Sequence, residues 1–243
     1  MLLEVNGLQK KWGEKRVIHD VSFEVHAGEV FGILGPNGAG KTTTLKIITG
    51  LLRPDEGKCL FEGNDMAVKS LEVKRNIGYI SDASNLYENL TGREYVQFMA
   101  RLWDVRQTDY LAGFEELVPL LGLEEKIDQF IRTYSKGMKQ KAALLGALIH
   151  RPQLLILDEP LTGLDPESNR QIKDYLKQYA KLGNSIIFST HILEAAEKLC
   201  NRILIMKEGR SIAVGTIEEL RRHTVSDDLD LEDIFLALTQ RAL

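Results

Sequence analysis

The pattern of apolar positions predicts strands at the start of the chain. Valine and phenylalanine recur at nearly every second position between residues 17 and 25, which is the spacing of a half-buried strand. Residues 30–34 are apolar throughout and precede a glycine-rich loop, which predicts a short buried strand there. A helix is then expected from about Lys41 to Gly50. Residues 58–81 read as strands and turns, ending in an apolar strand.

The middle of the chain, about 87–150, changes to helical spacing. A capping box at residues 91–94 predicts the first helix, whose apolar residues share one face. A second apolar face runs through 110–121, where Pro119 is expected to kink or cut the helix. A third helix is expected over 135–149. This stretch therefore reads as a helical insert.

Strand and helix alternate again after the insert. The runs 154–157 and 186–189 are continuously apolar, as in the central strands of a parallel sheet. A helix through 172–179 separates them, and a hairpin at 202–215 precedes a last helix. The pattern predicts an α/β fold with a β-rich start. We expect a single domain over 1–243, with a C-terminal hairpin and helix over about 202–243.

Composition narrows the classes of protein that fit. The 243 residues are 44% hydrophobic and 27% charged with a net charge of -4, as in soluble globular proteins, which excludes disorder, collagen and coiled coil. The slight acidity argues against bulk nucleic-acid binding. Cys59 and Cys200 are far apart and are expected to be reduced thiols in the cytosol. No secretory signal is expected at the start, and the longest apolar run, 142–149, falls far short of about 20 residues. Work at a membrane would therefore require another chain to span it.

A glycine-rich loop between a predicted strand and a predicted helix carries the strongest motif. It fits the phosphate-binding pattern G-x-x-x-x-G-K-[ST], with the residues Gly35, Pro36, Asn37, Gly38, Ala39, Gly40, Lys41 and Thr42. Glycine lets successive backbone N–H groups face one anion, and the following helix adds its positive end. Lys41 can reach the β and γ phosphates, and the Thr42 hydroxyl can bind Mg²⁺. An ordinary glycine turn is the alternative.

Two adjacent carboxylates, Asp158 and Glu159, follow the buried strand at 154–157. Ligands of open α/β sheets bind at the carboxyl ends of strands, so these groups and the glycine-rich loop are expected to share one crevice. Asp158 suits a Mg²⁺ ligand and Glu159 a general base that activates water. His191 follows another apolar strand toward the same edge, although a single histidine is more often structural.

Lysines gather at the start of the predicted helix 135–149. Lys136, Lys139 and Lys141 lie where the helix dipole disfavours cations. A local anion would offset this cost, and Ser135 with the Gly137 backbone could donate hydrogen bonds to a phosphate. A solvated basic face explains the same residues equally well.

Together these motifs resemble the ATP-binding subunits of ABC transporters, in the order of that family and over essentially the whole chain. Residues 35–43, ending in Thr43, resemble its Walker A motif, and 154–159 its Walker B motif with the catalytic glutamate. Residues 134–138 are similar to its signature motif, and 161–165 to its D-loop. His191 stands at its switch-histidine position, and Trp12 stands where the family has an aromatic residue that stacks on adenine. Trp12 could equally be a core residue.

Three positions depart from the family pattern. Lys136 and Met138 replace a glycine and a glutamine of the signature, in a form similar to that of many bacterial subunits linked to export. Asp82 stands where the Q-loop usually has glutamine, and its carboxylate could still meet Mg²⁺ or water. The D-loop begins with Leu161 and Thr162 rather than with a common serine.

The resemblance implies a P-loop NTPase core of the RecA-like type, with a parallel sheet, an N-terminal antiparallel β subdomain and the helical insert. It implies ATP hydrolysis with ATP and Mg²⁺ as cofactors, the metal being held by Thr42, Asp158 and Asp82. It also implies a head-to-tail dimer, in which each ATP lies between the Walker A loop of one copy and Ser135 and Gly137 of the other. The partner's phosphate would then be the anion that the signature lysines face.

The same resemblance implies transmembrane permease subunits that dock near Asp82 and the helical insert. The subunit would then be cytoplasmic and peripheral on the inner face of the cell membrane, and export is the preferred direction. Three other readings stay open: an ABC ATPase acting on ribosomes or DNA, a regulatory module that holds ATP without turnover, and a P-loop kinase of small molecules.

Overall fold

The computed structural model of the chain describes residues 1–68, 70–82, 86–222 and 230–241. Residues 223–229 and 242–243 of the predicted C-terminal segment lie outside the described residues. The first sheet is antiparallel, with the strand order β2-β1-β4-β5. Its strands are β1 (Leu3–Trp12), β2 (Lys15–Val25), β4 (Glu56–Phe61) and β5 (Asn64–Asp65). The predicted antiparallel β subdomain is therefore confirmed.

The second sheet is six-stranded, with the order β10-β9-β3-β8-β7-β6. Every pairing in it is parallel except that of β9 with β10. Its strands are β3 (Val30–Leu34), β6 (Ile77–Ile80), β7 (Leu154–Asp158), β8 (Ser185–Thr190), β9 (Arg202–Lys207) and β10 (Arg210–Gly215). β3, β7 and β8 are buried at every position, because both faces of a parallel sheet are covered.

Helices connect the strands and cover the sheets. They are α1 (Lys41–Ile48), α2 (Ser70–Lys74), α3 (Gly92–Leu102), α4 (Gln107–Leu120), α5 (Lys136–Leu148), α6 (Pro166–Lys181), α7 (Leu193–Leu199), α8 (Ile217–Arg222) and α9 (Leu231–Arg241). The capping box predicted at Thr91 and Glu94 is present at the start of α3. Among the described residues, no helix combines the length and apolar character that crossing a bilayer requires.

Two predictions about helices are corrected. The stretch 58–81 contains the helix α2 as well as strands. The helix was not predicted because its five residues lie among residues typical of turns. α4 is not cut at Pro119 but continues to Leu120. Pro119 lacks the N–H that would donate to the carbonyl four residues earlier, but only Leu120 follows it in α4, so the missing bond lies where the helix ends.

The strand order decides which chain segments meet. β3 and β7 both pair with β8, so that Leu34 lies opposite Thr190 and Asp158 lies opposite Ser189. The loop after β3 and the residues after β7 and β8 therefore leave the sheet at one edge. Apolar residues fill both sides of the sheet and hold this edge in place. Cys59 and Cys200 are both free thiols.

Candidate active site

The glycine-rich loop wraps around the side chain of Lys41. The Lys41 ammonium donates to the carbonyl oxygens of Gly35, at 2.7 Å, and Pro36, at 3.3 Å. A Cβ on Gly35 would collide with the carbonyl oxygen of Met206, so the loop can lie against β9 only because Gly35 has no side chain. The loop thus places a buried cation at the edge of the sheet.

The first helix starts without a side-chain cap. Gly40 precedes α1 with a φ of 101°, a left-handed conformation that glycine adopts without strain, and no acidic residue occupies the first turn. The free N–H groups and the dipole of α1 therefore point out of the loop, where an anion such as a phosphate would satisfy them.

Asp158 lies fully buried at the end of β7. Its Oδ2 accepts a hydrogen bond of 2.7 Å from the Thr42 hydroxyl, and its Oδ1 accepts one from Ser189. A carboxylate and a hydroxyl in contact are hard oxygen ligands of the kind that Mg²⁺ takes together with phosphate oxygens. These residues therefore fit Mg²⁺, although no group of three or more metal-binding side chains occurs in the part of the chain that is described.

Glu159 turns back toward the loop. Its φ of 51° breaks the alternation of the strand, so that two consecutive carboxylates face the same space. Glu159 Oε1 lies 2.9 Å from Nδ1 of His191 and 3.7 Å from the ammonium of Lys41. Oε2 accepts a hydrogen bond of 3.2 Å from Thr190. The carboxylate is thus fixed beside the loop with a histidine next to it, an arrangement suited to activating water.

Lys41, Thr42, Asp158 and Glu159 line one cavity of about 340 Å³, which we call the P-loop cavity. Its lining consists of Lys15, Val17, Asn37, Gly38, Ala39, Gly40, Lys41, Thr42, Thr43, Asp82, Asp158 and Glu159. The prediction that the glycine-rich loop shares a crevice with both carboxylates is therefore met by the geometry. Asp82 also reaches this cavity from the end of β6.

Sequence reasoning missed several residues of the site. Lys15 and Val17 line the cavity from β2, and Ser189 and Thr190 hold the two carboxylates. The position of Ser189 and Thr190 directly before His191 was the available signal. Trp12 lies beyond the lining, opposite Lys15 in the β1–β2 hairpin, and is 56% exposed. It therefore stands at the rim and is not a core residue.

The predicted signature residues lie elsewhere on the same chain. Ser135 caps α5 and accepts a hydrogen bond of 3.2 Å from the Met138 N–H. Gly137 approaches the D-loop so closely that a Cβ there would lie 3.0 Å from the carbonyl oxygen of Gly163. Among the described residues, the lining of the P-loop cavity includes neither Ser135 nor Gly137. One chain therefore does not bring the signature to its own cavity.

A second concave region, which we call the aromatic groove, opens between β6 and helices α3 and α5. It has a volume of about 280 Å³, and its walls include Tyr79, Tyr95, Trp103 and His150. The rings of Trp103 and His150 stack at 4.9 Å. Three buried polar atoms in these walls lack a hydrogen-bond partner within the described ranges: the Tyr79 hydroxyl, Trp103 Nε1 and His150 Nδ1.

Burial determines the protonation of the groove residues. Removal from water lowers the pKa of His150 to about 4, although a contact with the Ile77 carbonyl opposes the shift. Burial, aided by the negative charge of Asp158, raises the pKa of Tyr79 to about 12. Both side chains are therefore neutral near pH 7, and Tyr79 is electrostatically linked to the P-loop cavity.

The fold and the P-loop cavity define a nucleotide-binding ATPase of the P-loop class. Comparison with known proteins specifies the family. The profile of the family described as ABC transporter matches residues 18–162. The linearmycin resistance ATP-binding protein LnrL of Bacillus subtilis (strain 168) is 36% identical over 219 residues, which cover 90% of this chain and 70% of that protein.

Two further comparisons extend over nearly the whole chain. The ABC transporter ATP-binding protein NatA of the same organism is 35% identical, with 94% of this chain and 92% of that protein covered. A solved ATP-binding subunit of an ABC transporter superimposes with a TM-score of 0.94 at 34% identity, covering 98% of this chain and all of the other. The chain therefore belongs to the ABC transporter family, and it is an ATP-binding subunit that hydrolyses ATP to drive transport. The resemblance noted from the motifs is confirmed.

Proposed function

We propose that this subunit hydrolyses ATP at the P-loop cavity, with Glu159 as the general base. The observation that carries the proposal is the meeting of Lys41, Asp158, Glu159 and His191 at one edge of the sheet. In this scheme Lys41 and backbone N–H groups of residues 37–43 bind the triphosphate. Glu159 withdraws a proton from water, and His191 stabilises the charge that develops on the γ-phosphate.

Mg²⁺ is the cofactor that fits Thr42 and Asp158. When bound, the metal would neutralise charge on the β and γ phosphates. Thr42 and Asp158 already contact each other at 2.7 Å, so little movement is needed to present both oxygens. Asp82 lines the same cavity and is our third proposed ligand, because a carboxylate is a better Mg²⁺ ligand than the amide usual in the family.

One proposed protein partner is another copy of the subunit, joined head to tail. Ser135 and Gly137 of one copy would meet the ATP held by the other, which agrees with their absence from the lining of their own cavity as far as it is described. α5 has no acidic residue in its first turn, and its Lys136 is exposed. A phosphate delivered by the second copy would offset the unfavourable position of that charge.

The other proposed protein partner is a transmembrane permease subunit, for which we propose the aromatic groove as the docking site. Its unpaired polar atoms favour a partner segment that both donates and accepts hydrogen bonds. Ser81 lines the groove and the adjacent Asp82 lines the P-loop cavity, so one segment borders both. The subunit would then lie on the cytoplasmic face of the membrane. The resistance protein among the relatives and the form of the signature favour export.

Glu159→Gln tests the central role. The amide keeps the size of the side chain but does not take up a proton, so turnover should fall by a factor on the order of 100 or more. ATP binding should persist, and ATP-bound dimers should accumulate because they no longer reopen. Phosphate release and gel filtration with ATP and Mg²⁺ measure both effects.

The matched control is Glu115→Gln, on the exposed side of α4 far along the chain from the site. This variant should hydrolyse ATP like the wild type. Normal turnover by Glu159→Gln would refute the general-base assignment. Loss of ATP binding in the same variant would show that Glu159 has a structural role instead.

A further inference from the structure

Two neighbouring hydroxyl groups on β8 contact two neighbouring carboxylates, the last residue of β7 and the residue directly after it. Ser189 donates to Asp158, and Thr190 donates to Glu159. The parallel pairing of the strands sets this correspondence, since Asp158 lies directly opposite Ser189. Each carboxylate at the edge of the sheet therefore has its own hydroxyl from the adjacent strand.

The Thr190 hydroxyl has a second contact that Ser189 does not share. Besides donating to Glu159 Oε2 at 3.2 Å, its oxygen accepts a hydrogen bond of 3.0 Å from the backbone N–H of Ile192. This local turn encloses His191 between the two bonded residues. One buried hydroxyl, on a residue only 2% exposed, therefore links the carboxylate of Glu159 to the loop that carries His191.

Glu159 needs such an anchor for two reasons. Its left-handed backbone, with a φ of 51°, is disfavoured for a residue with a side chain and persists only when its surroundings hold it. Its Oε1 is shared between His191 and the ammonium of Lys41, which lies 3.7 Å away. Triphosphate binding attracts Lys41 away from the carboxylate, so Oε2 keeps the anchor that does not depend on the nucleotide.

We propose that Thr190 is a positioning residue for ATP hydrolysis, which aligns Glu159 and His191 with each other through one hydroxyl group. This inference rests on the proposed role of Glu159 as general base. Among the described residues that line the P-loop cavity, Thr190 is absent, so its effect on catalysis would pass through Glu159 and His191. Its removal should therefore slow the chemical step while leaving ATP binding intact.

The test compares Thr190→Val with Thr190→Ser in steady-state ATP hydrolysis. Valine keeps the branched shape at a buried strand position but removes the hydroxyl, so kcat should fall about tenfold with KM for ATP changed less than twofold. Serine keeps the hydroxyl and should retain at least half of the wild-type kcat. Equal losses in both variants, or a kcat within twofold of wild type in Thr190→Val, would overturn the proposal.

A control variant tests whether the loss of a buried threonine hydroxyl elsewhere in the chain also lowers kcat. Within the described part of the chain, the Thr239 hydroxyl bonds to carbonyl groups of its own helix α9, and Thr239→Val should leave kcat unchanged. If Thr190→Val unfolds at the assay temperature, Thr190→Ala replaces it and should show the same tenfold loss. Retention of wild-type kcat by folded Thr190→Ala would contradict the proposal.

A double variant distinguishes failure of this inference from failure of the proposed function. When Thr190→Val is added to Glu159→Gln, single-turnover hydrolysis should slow by much less than tenfold, because most of the effect of Thr190 passes through the carboxylate and only the part that passes through His191 remains. A further tenfold loss would overturn the inference. If Glu159→Gln alone turns over ATP at the wild-type rate, the general-base role is refuted. If Glu159→Gln does not turn over ATP but Thr190→Val does so at the wild-type rate, only the inference about Thr190 is refuted.

Discussion

The P-loop cavity and the aromatic groove differ in how far their polar groups are hydrogen-bonded within the chain. In the cavity, Lys41, Asp158 and Glu159 are all held by contacts within the chain. In the groove, Trp103 Nε1 and His150 Nδ1 are buried without a partner among the described residues. The two regions are nevertheless joined through residues 79–82 at the end of β6.

This difference indicates which kind of binding partner suits each region. A cavity whose charges are paired internally is stable without ligand, and a nucleotide can replace one partner by another as it enters. Buried polar atoms that lack partners cost free energy until something bonds to them. The groove therefore gains more from a lasting protein partner than from a ligand that leaves after every cycle.

The largest effect should come from the cavity. Lys41→Met keeps the length of the side chain but removes the charge that meets the phosphates, so ATP affinity should fall by a factor on the order of 100. Isothermal titration with ATP and Mg²⁺ measures the change. Lys46→Met, at an exposed position on the same helix, is the control and should bind normally. Unchanged ATP affinity in Lys41→Met would show that the Lys41 charge does not bind phosphate in the P-loop cavity.

The groove should control the response of stability to acid. His150 has a folded pKa of about 4 against an ordinary value of 6.5, so the unfolded chain binds a proton first as the pH falls. Its contribution is fully present above about pH 6.5 and is lost progressively toward pH 4, by at most about 3 kcal/mol. His150→Phe, which can still stack on Trp103, should reduce this dependence. Urea unfolding at pH 7.5 and pH 5 measures the difference, and parallel curves for the two proteins would contradict it.

Trp12 tests the rim of the cavity. Trp12→Ala should weaken ATP binding about tenfold, since stacking of a base on an aromatic ring contributes about 1–3 kcal/mol. Trp12→Phe should restore most of the affinity because it retains a ring. Fluorescence titration with ATP serves as the measurement. If alanine and phenylalanine bind equally well, adenine does not stack at this position.

Trp103 tests the groove in the same manner and should have the smallest effect. Trp103→Phe keeps a ring against His150 but removes the N–H donor, so attachment to native membranes should weaken about fivefold. ATP hydrolysis by the isolated subunit should stay within twofold of wild type. Sedimentation of the purified subunit with stripped native membranes gives the affinity. Undiminished attachment would argue against docking in the groove.

Much of the cavity followed from spacing along the chain. The glycine-rich loop, the carboxylates after 154–157 and His191 after 186–189 were all expected at one sheet edge, because strand ends in parallel sheets converge. The short helices α2, α7 and α8 were not recognised, since five to seven residues carry too little periodicity. Pro119 was misjudged because its effect depends on how near the helix end it lies.

The sequence by itself determined the class of fold, the phosphate-binding loop and the two carboxylates, because these depend on residue type and local spacing. Only the tertiary structure decided that Thr190 holds Glu159, that Lys15 joins the cavity and that Trp103 stacks on His150. Those contacts join residues separated by more than twenty positions. Their partners are set by strand order and packing, which no local pattern encodes.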